Sequence, residues 1–327
     1  MDNLFLNRLC EEYGDINVNN QLKFMKIYGT AVTEPELWLS TALERNLGFW
    51  PIEIVDHCPC GSEMIRSVSR FLYFNLLGIS QCRKCGLVFI SPRLSRESMV
   101  KIFEEFYFNN GDPEYWGKRR APIFKDIMRV LKLLICRTVF DVGTAYGHFI
   151  HYARENGLEA SGCDIARGAV EWGQEHLKAR VQCGTVHEID LADKSFDSVV
   201  SLDTLYYAAD PLEELKAMKR LIRPRGYLIL RLRNNIGVAA RAKIQGKQKI
   251  GKPVLPMPHL WAFTPKLVGN LLKRCGFEIL LCEPAAYSSS GLRVIEMGVL
   301  MLNRFCLKAF SEFPIVTQSF NVVAQLT

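Results

Sequence analysis

The stretch VFDVGTAYGHF (residues 139–149) begins as a buried strand and breaks into small residues directly behind a carboxylate. Gly143 and Gly147 let a backbone turn tightly there and approach a ligand without side-chain obstruction, and Ala145 between them is nearly as small. The segments on either side of this break narrow the fold further. RTVFDV reads as a strand and GHFIHYARENGL as a helix; EASGCDI is a strand and ARGAVEWGQEHL a helix; FDSVVSL is again a buried strand. PLEELKAMKRLI opens with Asp210 as cap, Pro211 at the first helical position and Glu213 three residues after the cap, and RPRG turns it into the strand YLILRLR. TPKLVGNLLKRCGF, EILLC and FNVVAQL close the pattern as helix, strand and strand. Strands alternating with helices predict an α/β fold with a largely parallel sheet and helices on both faces.

At 327 residues the chain exceeds one usual domain, and four regions are predicted. Residues 1–56 read as a helical segment anchored by Trp38 and Trp50, residues 57–95 as a cysteine-bearing module, 96–135 as a helical connector, and 136–327 as the α/β domain. Within the connector, residues 95–108 and 122–135 carry helical apolar spacing. No apolar run approaches the roughly 18 residues of a spanning helix. The start MDNLFLNRLCEEYGD lacks the basic-then-apolar plan of a secretory signal, so a cytoplasmic protein without a membrane span is expected.

A ligand in such a sheet binds beyond the carboxyl ends of the strands, where the strand order reverses. Asp164 ends the next strand 23 residues after Asp141, near the interval of roughly 20 residues at which these folds grip ribose hydroxyls. An acid directly before the loop repels a pyrophosphate and attracts a cationic amine or sulfonium, which counts against a dinucleotide.

DVGTAYGHF, GCDIARGAVE, the block SFDSVVSLDTLYYAADPLEELKAMKRLIRPRGYLIL, and HLWAFTPKLVGNLLKRCGF together resemble the class I S-adenosylmethionine-dependent methyltransferases, over roughly residues 136–285. The resemblance implies a Rossmann-like seven-stranded sheet whose final strand runs antiparallel. It also implies S-adenosylmethionine as cofactor, held by Asp141, Gly143, Ala145, Gly147, Asp164, Ile165 and Asp203. At the adenine, either Glu188 or the backbone of Val186 takes the contact.

The cysteines add a second expectation. Of eleven, Cys58, Cys60, Cys82 and Cys85 bunch in HCPCGSE and CRKCGLVFISPR, each half ending in Cys-Gly. Zinc takes four tetrahedral thiolate or imidazole ligands, and Cys82 and Cys85 have the usual two-residue gap. Cys58 and Cys60 are one residue too close, whereas His57 and Cys60 are correctly spaced, so the fourth ligand is Cys58 or His57. Four protein ligands make a structural zinc ribbon, leaving no open position for chemistry. A ribbon ending CGLVF with a Pro-Arg pair, ahead of such a domain, resembles a bacterial subgroup associated with sugars and secondary metabolites.

Methyl transfer from a sulfonium depends chiefly on placing the acceptor in line, and an oxygen or carbon acceptor also needs a base. The resemblance puts acid-base groups after the fourth strand, where this chain has Tyr206 and Tyr207; with His259 in MPHLWAF these are the candidate catalytic residues, and Asp203 and His148, the latter at a helix start, are further ones. The plainer alternative for the tyrosines is a pocket wall, and for His148 a cap or a solvent-facing side chain.

The expected substrate is a small molecule, with residues 233–263 as a pocket lid. Between Leu215 and Phe277 fifteen Lys or Arg occur with no Asp or Glu, part of a net charge of +7, which suits an anionic or phosphorylated substrate. The same basic region keeps an RNA base methyltransferase in view, although no motif for a flipped base is present. A binding protein on a decayed scaffold is a third reading, opposed by intact Asp141, Gly143, Gly147 and Asp164.

Overall fold

The computed structural model describes residues 52–72, 77–103, 112–238, 259–285 and 317–327. Of the helical reading of residues 1–56, residues 1–51 lie outside the described residues, as does most of the lid segment 233–263, whereas Ile52–Glu53 form a strand rather than a helix.

The chain enters through strand β1 (Ile52–Glu53), then β2 (Ile65–Leu72), β3 (Leu77–Cys82), β4 (Val88–Ile90) and β5 (Arg93–Leu94). β1 pairs only with β5, in register Glu53 to Arg93. Helix α1 (Arg96–Ile102) starts at Ser95, whose side chain accepts from the Ser98 amide. Helix α2 (Pro113–Leu133) starts nine residues before the predicted Pro122. Asp112 caps it, accepting from the Glu114 amide at 2.9 Å, and Pro113 fills the first turn where no amide partner is needed. Pro122 sits within the helix, so it was a misleading start signal.

The alternating segment follows the predicted order. Strand β6 (Thr138–Val142), helix α3 (His148–Glu155), β7 (Glu159–Asp164), α4 (Arg167–Leu177) and the short β8 (Val181–Cys183) build one half. β9 (Phe196–Leu202), α5 (Pro211–Leu221) and β10 (Ile222–Arg233) continue it. Asp210 caps α5 as expected, accepting from the amides of Leu212 and Glu213. β10 begins earlier than predicted, because Ile222 already pairs with Phe196 before a bulge, with Arg225 at φ 62°, shifts the register to Tyr227. β11 (Trp261–Ala262), α6 (Pro265–Arg274), β12 (Phe277–Ala285) and β13 (Ser319–Leu326) complete the elements. β8 and β11, three and two residues long, escaped the periodicity reading.

The seven-stranded sheet has the order β12-β13-β10-β9-β6-β7-β8. All ladders from β10 to β8 are parallel, and β13 runs antiparallel to both its neighbours. The order reverses between β6 and β9, which puts a crevice above their carboxyl ends. Side chains alternate across the sheet. Val139, Val200 and Ile229 face α2 and α3, and Phe140, Val199 and Leu228 face α5 and α6.

The cysteine hairpin is not peripheral to this core. β4 pairs with β11, so the strand order β11-β4-β3-β2 joins the hairpin to a segment from far along the chain. Cys58, Cys82, Leu87 and Phe89 belong to the same buried cluster as Tyr206, Trp261 and Leu230. Among the described residues, no helix is long and apolar enough to cross a membrane.

Candidate active site

A cavity of about 700 Å³ opens at the reversal of strand order, within the range of about 300–1,000 Å³ typical of small-molecule sites. Gly143, Ala145, Asp164, Ile165 and Val186 line it, as do Tyr206, Tyr207 and His259. Predicted cofactor residues and predicted acceptor-side residues thus share one space.

The cofactor end is shaped by the turn after β6. Gly143 has φ +77°, and a Cβ there would sit 2.2 Å from the Thr204 methyl, so only glycine fits. Ala145 also adopts a left-handed conformation, at φ 54°. Its amide donates to Asp164 Oδ2 at 2.7 Å, and the Ala166 amide donates to Oδ1 at 2.9 Å. Each oxygen keeps a lone pair for a ligand hydroxyl. Burial pushes the Asp164 carboxyl above its ordinary value, against those backbone bonds.

Asp141 and Gly147 stand behind this wall and do not line the cavity. Asp141 is buried, which pushes its carboxyl up to about 7, and its Oδ1 has no hydrogen-bond partner among the described residues. Gly147 instead forms the left-handed start of α3, φ +76°, packed against Ala179 and Val181.

The geometry gives three of the other expected residues surroundings of their own. Glu188 does not reach the cavity; it accepts from the Thr185 amide and hydroxyl, both at 2.9 Å, and pairs with Arg96 at 2.8 Å. The turn closes on its own carboxylate, and Val186 is the residue of the pair that lines the cavity. Asp203 lines the cavity but is occupied, bonded to Arg120 at 2.9 Å and to Arg231. Burial would raise its carboxyl, yet Arg231, Arg120 and Arg233 outweigh this and hold it at about 2. His148 makes no cap bond and is half-buried. It packs among Trp116, Tyr146 and Trp172, in space left by Gly117, and burial lowers its imidazole to about 4.

At the acceptor end the rings of Tyr206 and His259 lie 3.9 Å apart between centroids, and Tyr207 edges onto both at 4.6 and 5.3 Å. His259 is buried, and this burial, with Arg233 nearby, holds the imidazole well below its usual range and hence neutral. Sequence reading missed the opposite wall. Trp116, Arg119 and Arg120 of α2, with Met99 and Phe103 of the α1 region, close the cavity there. The Asp112-Pro113 start would have revealed the α2 part, since positions 116, 119 and 120 then share one helix face.

Below this end lie four thiols. Cys58, Cys60, Cys82 and Cys85 have all sulfur atoms within 4.8 Å of one another. Cys58 to Cys85 is 3.5 Å and Cys60 to Cys82 is 3.7 Å, close to the roughly 3.8 Å edge of a tetrahedron with zinc–sulfur bonds of about 2.3 Å. His57 is exposed and directed to Asp56 at 2.7 Å, so the structure gathers Cys58 rather than His57. Burial opposes ionisation of Cys82, but the amides of Cys85 and Lys84 and the neighbouring thiols bring it down to about 7.

Residues 140–230 match the family described as methyltransferase domain. Over 147 residues the chain is 26% identical to the ubiquinone biosynthesis O-methyltransferase of Dinoroseobacter shibae, covering 43% of this chain and 59% of that protein. Against the enzyme of the same name from Alkalilimnicola ehrlichii identity is 30% over 99 residues, covering 28% and 40%. The chain therefore spans about three-fifths or less of the curated relatives it matches. A solved SAM-dependent methyltransferase from Thermotoga maritima superposes with TM-score 0.46 at 16% identity, over 65% of this chain and 94% of that one.

Proposed function

We propose that this chain is an S-adenosylmethionine-dependent methyltransferase acting on a small-molecule acceptor. The observation that carries the reading is a single cavity with the Gly143 turn and Asp164 at one end and Tyr206, Tyr207 and His259 at the other. The residues present suit the cofactor. Gly143 offers a close backbone approach, Asp164 has lone pairs for ribose hydroxyls, and the orphaned Oδ1 of buried Asp141 favours positive charge just beyond the loop. Arg119 on the facing helix suits a carboxylate, and Arg233 near His259 suits an anionic group on the acceptor.

When bound, the cofactor supplies an electrophilic methyl on a sulfonium with a good leaving group. This chain's residues then have the task of alignment. The tyrosine rings and His259 confine the acceptor, and residues of α1 and α2 form the facing wall. A neutral imidazole can orient an acceptor hydroxyl or accept its proton. The relatives' name, O-methyltransferase, favours oxygen as the acceptor atom. The four thiols suit a structural zinc, which would tie the hairpin together and take no part in the reaction.

Isothermal titration of the zinc-loaded full chain with S-adenosylmethionine tests the reading. Saturable binding that is lost in Asp164→Ala supports it; absence of binding at millimolar cofactor ends it. Transfer of labelled methyl to the RNA fraction of an extract, and not to small molecules, would replace the acceptor class.

A further inference from the structure

The Pro-Arg pair closing the cysteine hairpin touches neither the cofactor turn nor the two tyrosine rings, yet Arg93 is buried where the hairpin meets the acceptor end. Its Nε donates to Glu53 Oε1 at 2.6 Å, and its Nη2 donates to the carbonyl of Ala209 at 2.8 Å. Its guanidinium carbon lies 5.3 Å from the centroid of the Trp261 ring. Among the described residues, Nη1 is buried without a hydrogen bond. Desolvating a permanent cation among these groups is costly unless its bonds fix something in return.

What they fix is the irregular turn that carries both tyrosines. Thr204–Asp210 has little regular structure beyond one 3-10 turn over Leu205–Tyr207, so its carbonyls need partners from elsewhere. Three are supplied from the hairpin side. The Leu260 amide donates to Tyr206 O at 2.9 Å, the Trp261 indole donates to Ala208 O at 2.7 Å, and Arg93 donates to Ala209 O. Leu260 is itself held by the Ile90 amide at 2.9 Å, and Trp261 pairs with Phe89 across β4 and β11. Glu53, the other partner of Arg93, lines the cavity.

We propose that Arg93 is a positioning residue for the acceptor end: its planar fork locks the Tyr206–Ala209 turn and the Trp261 strand together, and thereby seats His259 against the two tyrosines. The inference rests on the reading that this end of the cavity receives the acceptor. Lysine cannot replace it, because Glu53, Ala209 and the Trp261 face are met by different edges of one rigid plane.

The test reads His259 directly, in the full chain loaded with zinc and labelled with ¹⁵N-histidine, the resonance being assigned by its loss in His259→Gln. The charged and titratable groups facing this ring are Tyr206, Tyr207, Arg233 and Asp203. In the wild-type protein the ring, held well below its usual range by burial, is expected to show no titration around neutral pH. In Arg93→Met it is expected to titrate with a midpoint rising towards the ordinary value of about 6.5, while affinity for S-adenosylmethionine stays within about twofold and melting stays cooperative. Arg93→Lys is expected to behave like Arg93→Met. A His259 ring that stays silent in Arg93→Met, or is silenced again by lysine, overturns the proposal. If Arg93→Met does not fold, Trp261→Phe decides, since it removes the bond to Ala208 and keeps the packing: onset of titration supports the proposal, and an unchanged ring overturns it. Failure of the wild-type protein to bind the cofactor would sink the functional reading instead, a separate result.

Discussion

The cofactor end of the cavity takes its wall from the turn after β6 and the ends of β7 and β8, whereas the acceptor end draws on Glu53, α1, α2, the Tyr206 turn, Arg233 and His259. One end is local in sequence and rests on backbone geometry. The other is assembled from segments that meet only after folding, and it is held by side chains reaching across: Arg93 to Ala209, Trp261 to Ala208, Arg120 to Asp203. A parallel sheet fixes its strand ends rigidly and offers the same crevice to any cofactor. Specificity for the acceptor then falls to the parts that are not sheet.

The strongest way to separate the two ends is to strip the thiol cluster of its proposed zinc. Removal with a chelator, or Cys85→Ser, is expected to lower the melting temperature by more than about 10 °C, because a structural zinc centre contributes folding free energy directly. Hydrogen exchange by mass spectrometry should show peptides covering 205–210 and 259–263 losing protection, with 138–147 little changed. Equal loss at both ends would dissolve the distinction.

Next in size is Asp164→Ala. Losing the carboxylate proposed to hold the ribose should weaken S-adenosylmethionine about 10- to 100-fold, measured by titration calorimetry, with the His259 resonance unmoved. Asp141 gives a pH signature at the same end. Its carboxyl, raised to about 7 in the fold, lies above the ordinary value of about 3.9. The stability this contributes is fully present below that ordinary value and is lost as pH rises through about 7. A cationic ligand favours the ionised form, so cofactor binding should release a proton and tighten as pH rises from 6 to 7. Calorimetry in buffers of different ionisation enthalpy reads that proton, and Asp141→Asn should abolish it.

The smallest effect is expected from Ala145→Gly. Relief of a left-handed alanine is worth about 1–2 kcal/mol and the added freedom of the unfolded chain offsets part of it, so a gain of under about 1 kcal/mol in urea unfolding is expected. A loss would mean that the methyl packs against something the fold needs.

The difference between the ends also sets what was legible in the sequence. Strand, glycine turn and ribose acid lie within 26 residues, Val139 to Asp164, and each obeys a rule of local chemistry. Asp210-Pro211 and Thr264-Pro265 likewise mark helix starts that the structure bears out. Tyr206, Tyr207 and His259 were found through the family's order of motifs, and the fold brings them together. Their supports were not legible. A two-residue strand such as β11 has no periodicity, and nothing in the spacing of Arg93 and Ala209 announces a bond across 116 residues. Asp203 and Glu188 misled because an acid at a motif position looks alike whether it meets a ligand or an arginine.

The order of the sheet has a consequence for how the protein is made. Among the described residues β12 pairs only with β13, and β13 is also the neighbour that covers the open side of β10. A nascent chain leaving the ribosome therefore carries two unsatisfied strand edges until residue 326 has emerged, a window in which a chaperone has something to shield.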